Sequence, residues 1–239
     1  MATDLSPAAI PDFVHVLSQA AKSYRVSAQP TANQQAEPSG ETAIDRPPAE
    51  AVVQALLQAE LAAKQQRLQY PFADLVGEWR LCFTTGVKKR SPSKGQTKGQ
   101  TRGGTRLKKG VYLPQWTPAQ IGFFAAPEAV AAGFGQGIIT NQISLGAVRL
   151  RFTGPAKYLG KKNLLAFDFT QVAIDCFGKT VFQIGFRGGQ TKAAEFEQRP
   201  IAKLPFFAFF SVTPDWIAAR GRGGGLALWI REDSSSSHD

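Results

Sequence analysis

The sequence predicts a mainly β protein, with two helices ahead of about eight to ten short antiparallel strands that form a barrel or a sandwich. Three observations carry this. From Leu75 onward apolar residues recur at every second position, the period of a half-buried strand. Gly86, Gly110, Gly146, Gly154, Gly178, Gly188 and Gly221 break that pattern into short runs, as turns do. Before residue 70 the apolar period is helical instead. The chain has 239 residues, enough for one large domain with an extension.

Residues 1–25 hold an amphipathic helix over 7–24, where Ile10, Phe13, Val14, Leu17 and Ala21 share a face. Ser6 can cap it, Pro7 suits the first position, and Pro11 still lies in the first turn. Residues 26–48, rich in Pro, Gln, Ala and Ser, are a linker. A domain then spans 49–232. It opens with a helix over 49–67, whose apolar face is Val52, Val53, Leu56, Leu57, Leu61 and Ala62. The strands follow over 71–232. Trp79, Leu81 and Phe83 alternate with Arg80, Cys82 and Thr84; Val148, Leu150 and Phe152 alternate with Arg149 and Arg151. Leu165, Phe167 and Phe169 lead into Val172 and Ile174 with a change of phase, which predicts a bulge near Thr170. Phe182, Ile184 and Phe186 form a further run, and Leu226, Leu228 and Ile230 close the series. Pro127 to Ala132 reads as a short helix, and 233–239 as a disordered tail.

Net charge is +10 and unevenly placed: residues 1–70 carry −2 and residues 71–239 carry +12. The β-rich part therefore favours an anionic partner. Much of the excess lies in residues 86–110, which hold nine Lys/Arg, no acid and a repeated Lys-Gly-Gln-Thr pattern. This segment is expected to be a long loop inserted between the first two strands. Its cations are Lys88, Lys89, Arg90, Lys94, Lys98, Arg102, Arg106, Lys108 and Lys109. They suit docking on an anionic membrane surface, at about 1 kcal/mol each. Contact with a nucleic-acid backbone is the alternative, although the loop lacks aromatics on which bases would stack. A solvated linker is the plain reading.

Enzyme chemistry finds few residues. The two histidines, His15 and His238, lie in the first helix and the tail, away from the β domain. No CxxC or HxxxH offers a metal site. Asp168 and Asp175 are seven apart, so on an unbroken strand they face opposite ways. Gly221-Arg222-Gly223-Gly224-Gly225 lacks the Gly-Lys-Ser/Thr of a phosphate loop and reads as a tight hairpin. Cys82 and Cys176 read as buried free thiols. No signal peptide is legible, and the longest apolar run, Leu204 to Val212, is too short to span a bilayer. A soluble or peripheral, non-enzymatic protein is expected.

Aromatic residues are the second distinctive feature, with 17 Phe. Trp79, Phe83, Phe152, Phe167, Phe169, Phe182 and Phe186 fall on one side of their strands and either fill a core or line a cavity for a hydrophobic ligand. Leu204 to Phe210 is apolar on both faces, so one face meets the core and the other a helix or a membrane.

Leu75-Val76-Gly77-Glu78-Trp79, continued by Arg80-Leu81-Cys82-Phe83-Thr84-Thr85, resembles the opening of the plastid-lipid-associated protein (fibrillin) family, and its Gly-x-Trp resembles the first lipocalin motif. Asp215-Trp216-Ile217, Arg220-Gly221 and the run Leu226 to Arg231 resemble the family's closing strands. The resemblance covers roughly residues 50–232 and is specific at its two ends. The basic insertion departs from the family pattern, as do Ala218 and Ala219 before Arg220, and the residues ahead of the domain do not read as the organelle-targeting segment of plant members. The resemblance implies a lipocalin-like barrel with no cofactor of its own. Its ligand would be a lipid, quinone or carotenoid, and its location the cytoplasm or thylakoid surface of a cyanobacterium-like cell, or a plastid. Gly77, Trp79, Asp215, Arg220 and Gly221 would be structural, with Arg220 stacked on the Trp79 indole and Asp215 anchoring its turn. Protein partners, recruited through the two helices, are a further alternative.

Overall fold

A computed structural model describes residues 11–26, 45–88, 106–116, 118–125, 135–185 and 195–232. Two helices come first, α1 (Asp12–Val26) and α2 (Ala49–Gln66), followed by a single turn, α3 (Phe72–Leu75). Pro48 precedes α2, where its missing N–H costs nothing. Arg67 ends it in the left-handed conformation and donates its N–H to Ala63 O. Eleven strands follow: β1 (Gly77–Lys88), β2 (Arg106–Tyr112), β3 (Ala119–Ala125), β4 (Gly135–Leu145), β5 (Val148–Leu159), β6 (Leu164–Phe167), β7 (Gln171–Cys176), β8 (Lys179–Gly185), β9 (Phe206–Val212), β10 (Trp216–Gly221) and β11 (Leu226–Arg231).

All pairings are antiparallel, and eight of the strands close a barrel in the order β4-β3-β1-β11-β10-β9-β6-β5, with β5 pairing back to β4. The barrel and the two leading helices match the expected fold. β2 and the β7–β8 hairpin lie off this ring. Each uses half of a long strand: β1 pairs with β3 over Gly77–Arg80 and with β2 over Phe83–Lys88. β5 pairs with β7 over Val148–Thr153 and with β6 over Ala156–Leu159. Between those halves Gly154 lets the 168–170 backbone press inward, since a Cβ there would lie 1.8 Å from Asp168 O. The bulge expected near Thr170 is instead a break: β6 ends at Phe167 and β7 starts at Gln171, each on its own half of β5.

Among the described residues two large apolar cores and one small cluster result. Inside the barrel Trp79, Ile121, Phe123, Ile139, Tyr158, Leu165, Phe167, Phe209, Ile217 and Trp229 pack together. Outside it, Leu17 and Tyr24 of α1 and Val52 and Leu56 of α2 pack on Cys82, Trp216, Ala218, Leu228 and Ile230. The wall β1-β11-β10 is thus largely apolar on both faces, which is why β10 and β11 show little polar alternation in sequence. The Leu204–Phe210 run also divides. Phe207 and Phe209 face the interior, Phe210 faces the helices, and Leu204 and Phe206 pack with Phe196 and Ile201 of two short 3-10 segments.

Two expectations are corrected. Phe83 does not share a face with Trp79 and Leu81. A bulge between Leu81 and Phe83 reverses the phase, and Phe83 lies outside the barrel, edge-on to Tyr112 at 5.0 Å. Gly110 makes room for it, since a Cβ there would meet the Phe83 ring at 2.1 Å. The basic insertion is also shorter than 86–110, because Val87 pairs with Leu107 and Lys88 with Arg106 as β1 and β2 extend into it. Residues 89–105, the short helix expected at 127–132, the start of the first helix, most of the linker and the tail lie outside the described residues.

Candidate ligand-binding site

The site begins at the base of the barrel, where β1 starts. Trp79 is fully buried and donates its indole N–H to Leu75 O at 2.8 Å. Arg231, its directly paired neighbour on β11, lays its guanidinium over the indole at 4.0 Å from the ring centre. Arg231 also donates to Val76 O at 3.0 Å and Asp74 O at 3.3 Å, and burial pulls its pKa down. Gly77 has φ +129°, and a Cβ there would lie 2.7 Å from Arg231 Nη1. The Gly-x-Trp pair is therefore one device: the glycine clears the path of the cation that caps the tryptophan.

The expected cap was Arg220, and that is corrected. Ile217 and Ala219 of β10 face the interior, so Arg220 faces out toward α2. There its Nε donates to Glu60 Oε1 at 2.9 Å, and Nη2 bonds the second carboxylate oxygen. Burial pushes the Glu60 pKa up, but hydrogen bonds from Arg220 and Lys64 win and hold it below the usual value. Asp215 does not anchor its turn through its side chain, which is largely exposed and lies 3.9 Å from Arg25. Thr213 does so, with its Oγ1 accepting the Trp216 N–H at 3.0 Å. Gly221 closes the β10–β11 turn by donating to Gly225 O at 2.9 Å.

Above the base, aromatic rings form a continuous ladder. Phe123 meets Phe209 at 5.9 Å, Phe209 meets Phe207 at 6.3 Å, and Phe207 meets both Trp229 at 5.4 Å and Phe167 at 5.1 Å. Phe167 then meets Phe169 at 5.3 Å, and Phe169 meets Phe152 at 5.7 Å. Such ring pairs contribute about 0.5–1.5 kcal/mol beyond the area they bury. The ladder joins the buried Phe123, Phe209, Trp229 and Phe167 to Phe152 and Phe169, which are partly exposed, as is Phe207 at its centre.

From Phe152 the apolar face leaves the closed barrel. Register carries it along β4, β5, β7 and β8. Leu145 pairs with Val148 and Ile143 with Leu150; Leu150 pairs with Ile174 and Phe152 with Val172. Val172 and Ile174 pair in turn with Ile184 and Phe182. These residues share one face of a four-stranded flap. Ile143, Leu145, Val148, Phe182 and Ile184 are 39–57% exposed. The other face is polar: Arg151 bonds Asp175 at 3.3 Å, Thr180 Oγ1 bonds Asp175 at 2.6 Å, and Gln142 bonds Gln120 at 2.6 Å.

Of the seven aromatics singled out in the sequence, Trp79, Phe167 and Phe169 come together along the interior, and Phe152 meets Phe169 at its edge. Phe182 lies on the flap, Phe83 lies outside, and Phe186 is outside the described residues. Phe123, Phe207, Phe209 and Trp229 were missed. The run at 204–210 was legible as apolar on both faces, but which phenylalanines face inward depends on a bulge opposite Ala218 and Ala219.

Of the cationic candidates, Lys109 is exposed on β2. Lys88, Arg106 and Lys108 have their backbone in β1 and β2; their side chains, like Lys89, Arg90, Lys94, Lys98 and Arg102, lie outside the described residues. Both candidate carboxylates are ion-paired: Asp168, in the link between β6 and β7 and not on a strand, to Arg199 at 2.7 Å, and Asp175 on β7 to Arg151. Burial raises the pKa of the Cys82 thiol, which donates to Leu228 O at 3.3 Å. Among the described residues no three His, Cys, Asp or Glu are grouped to hold a metal ion, and no helix is long and apolar enough to cross a membrane. No family model matches the chain, and no curated protein matches it.

Proposed function

We propose that this protein is a non-enzymatic carrier or binder of one apolar lipid, of the prenylquinone, carotenoid or acyl-lipid class, acting peripherally at a photosynthetic membrane as fibrillin-type proteins do. The observation that supports this reading is the continuity of the aromatic ladder with the exposed apolar face of the flap. A core that only filled itself would gain nothing from extending half-exposed Ile, Leu, Val and Phe beyond the closed barrel. An elongated apolar molecule would cover that face and rest its inner end against Phe152 and Phe169. The chemistry needed is burial and shape alone, in keeping with Asp168 and Asp175 being already engaged in ion pairs.

Mass spectrometry of the organic extract, from protein purified out of a photosynthetic host without detergent, tests this reading. A single lipid class at close to one molecule per chain is the expected result. An extract holding no more lipid than an equally basic control protein overturns it.

A further inference from the structure

We infer that the two hairpin tips at the rim, β4–β5 and β7–β8, are a wedge that inserts into the headgroup region of an anionic bilayer. The inference deepens the carrier reading and rests on it for purpose, because the wedge would set the apolar flap against the lipid source.

The case starts with one residue. Phe177 and Gly178 are the two central residues of the β7–β8 turn, with φ of +48° and +74°. Two consecutive left-handed residues in a two-residue hairpin are the place for Asn-Gly or Gly-Gly. A bulky side chain is disfavoured there, and Phe177 recovers nothing by packing, since it is 84% exposed. A strained, solvent-exposed aromatic at a hairpin tip contributes to folding less than the residues it replaces. Its use must lie outside the chain.

Its neighbours agree. The Phe177 N–H donates to Ala147 O at 3.0 Å, which fastens the two tips side by side. On the neighbouring tip Leu145 and Val148 are a directly paired and exposed couple. The apolar end is therefore a patch built from two hairpins, with Gly146 at φ +58° making the second turn compact. Charge identifies the occupant. The flap carries Arg149, Arg151 and Lys179 against one acid, Asp175, which Arg151 and Thr180 already engage. Arg149 and Lys179 are exposed and follow directly behind the apolar tips. Apolar tips ahead of a basic collar match the boundary between acyl chains and anionic headgroups. A second copy of the chain would bring an identical basic collar against this one.

Flotation of the full chain with phosphatidylcholine vesicles, with and without phosphatidylglycerol, tests the wedge. Phe177→Asn places the preferred residue in the turn, so it keeps the fold. It is expected to weaken binding to the phosphatidylglycerol vesicles about tenfold. Arg149→Gln and Lys179→Gln are expected to weaken it about fivefold each. In the Phe177→Trp variant, emission is expected to shift to the blue on these vesicles. Unchanged affinity of Phe177→Asn, absence of binding, or equal binding to vesicles without phosphatidylglycerol each overturns the inference. So does a dimer in vesicle-free solution that Phe177→Asn dissolves, which would make the patch a self-association surface. Failure of the carrier reading is seen separately. A wild-type extract without lipid, from protein that still binds vesicles through Phe177, leaves a membrane-docking barrel that carries nothing.

Discussion

The helix-backed wall and the open flap are built from the same kind of strand and end differently. In β1, β10 and β11 the barrel-facing side chains alternate with others that are mostly apolar, because α1 and α2 cover the outer face, and the charged exceptions, Arg80 and Arg220, are paired with Glu232 and Glu60. In the flap one face is polar and hydrogen-bonded, and the opposite face is apolar with no covering element among the described residues. The first arrangement buries both faces and stabilises the fold. The second leaves about half of each of several large side chains in water, a loss of hydrophobic stabilisation at about 25 cal/mol per Å² that folding alone does not explain. Stability is thus concentrated in one wall, and the candidate binding surface in the other.

If that division is right, the largest effects on stability come from the closed side. Trp79→Ala empties the base of the barrel and strands the Arg231 guanidinium over a void. We expect a loss of about 4 kcal/mol, read as a shift of the chemical denaturation midpoint. Glu60→Gln is next. It leaves Arg220, tucked between α2 and β10, without its carboxylate, at a cost of about 3 kcal/mol. The sign with pH follows from the lowered Glu60 pKa: its contribution is whole above the ordinary carboxylate value and fades as pH falls from about 5 through the depressed one. Acid unfolding of Glu60→Gln should lack that component; an identical acid slope in both proteins would sink the assignment. Gly77→Ala follows at about 2 kcal/mol, since it is strained at φ +129° and displaces Arg231 from the indole. Its tryptophan fluorescence should report a Trp79 no longer capped.

The same contrast explains what could be read in the sequence. The flap's strands alternate visibly at Val148 to Phe152, because one face is polar, so their direction was legible. On the helix-backed wall Trp216, Ile217, Ala218 and Ala219 are all buried, and alternation carries no sign there. That is why Arg220 could be taken as the partner of Trp79, when Arg231 is in register with it. Phe83 was misplaced for a different reason. Its bulge is imposed by pairing with β11 and by the space at Gly110, both remote in sequence. The flap's exposure was not legible at all, because strand periodicity says which residues share a face and not whether anything covers them.

The smallest expected effect on stability is the sharpest test of the comparison. Phe182→Ser and Ile184→Ser lie on the edge strand β8, which is exposed throughout. Each should change stability by no more than about 0.5 kcal/mol, the usual range for surface positions. On the helix-backed wall an equivalent truncation, such as Leu228→Ser in a fully buried site, should cost several-fold more. The two flap variants are nevertheless expected to retain less lipid than the wild type through the same detergent-free purification, because the apolar face proposed to meet the ligand has become polar. If instead they unfold at markedly lower denaturant while their lipid content is unchanged, the flap is an ordinary part of the core. The distinction between a wall for folding and a wall for binding would then be lost.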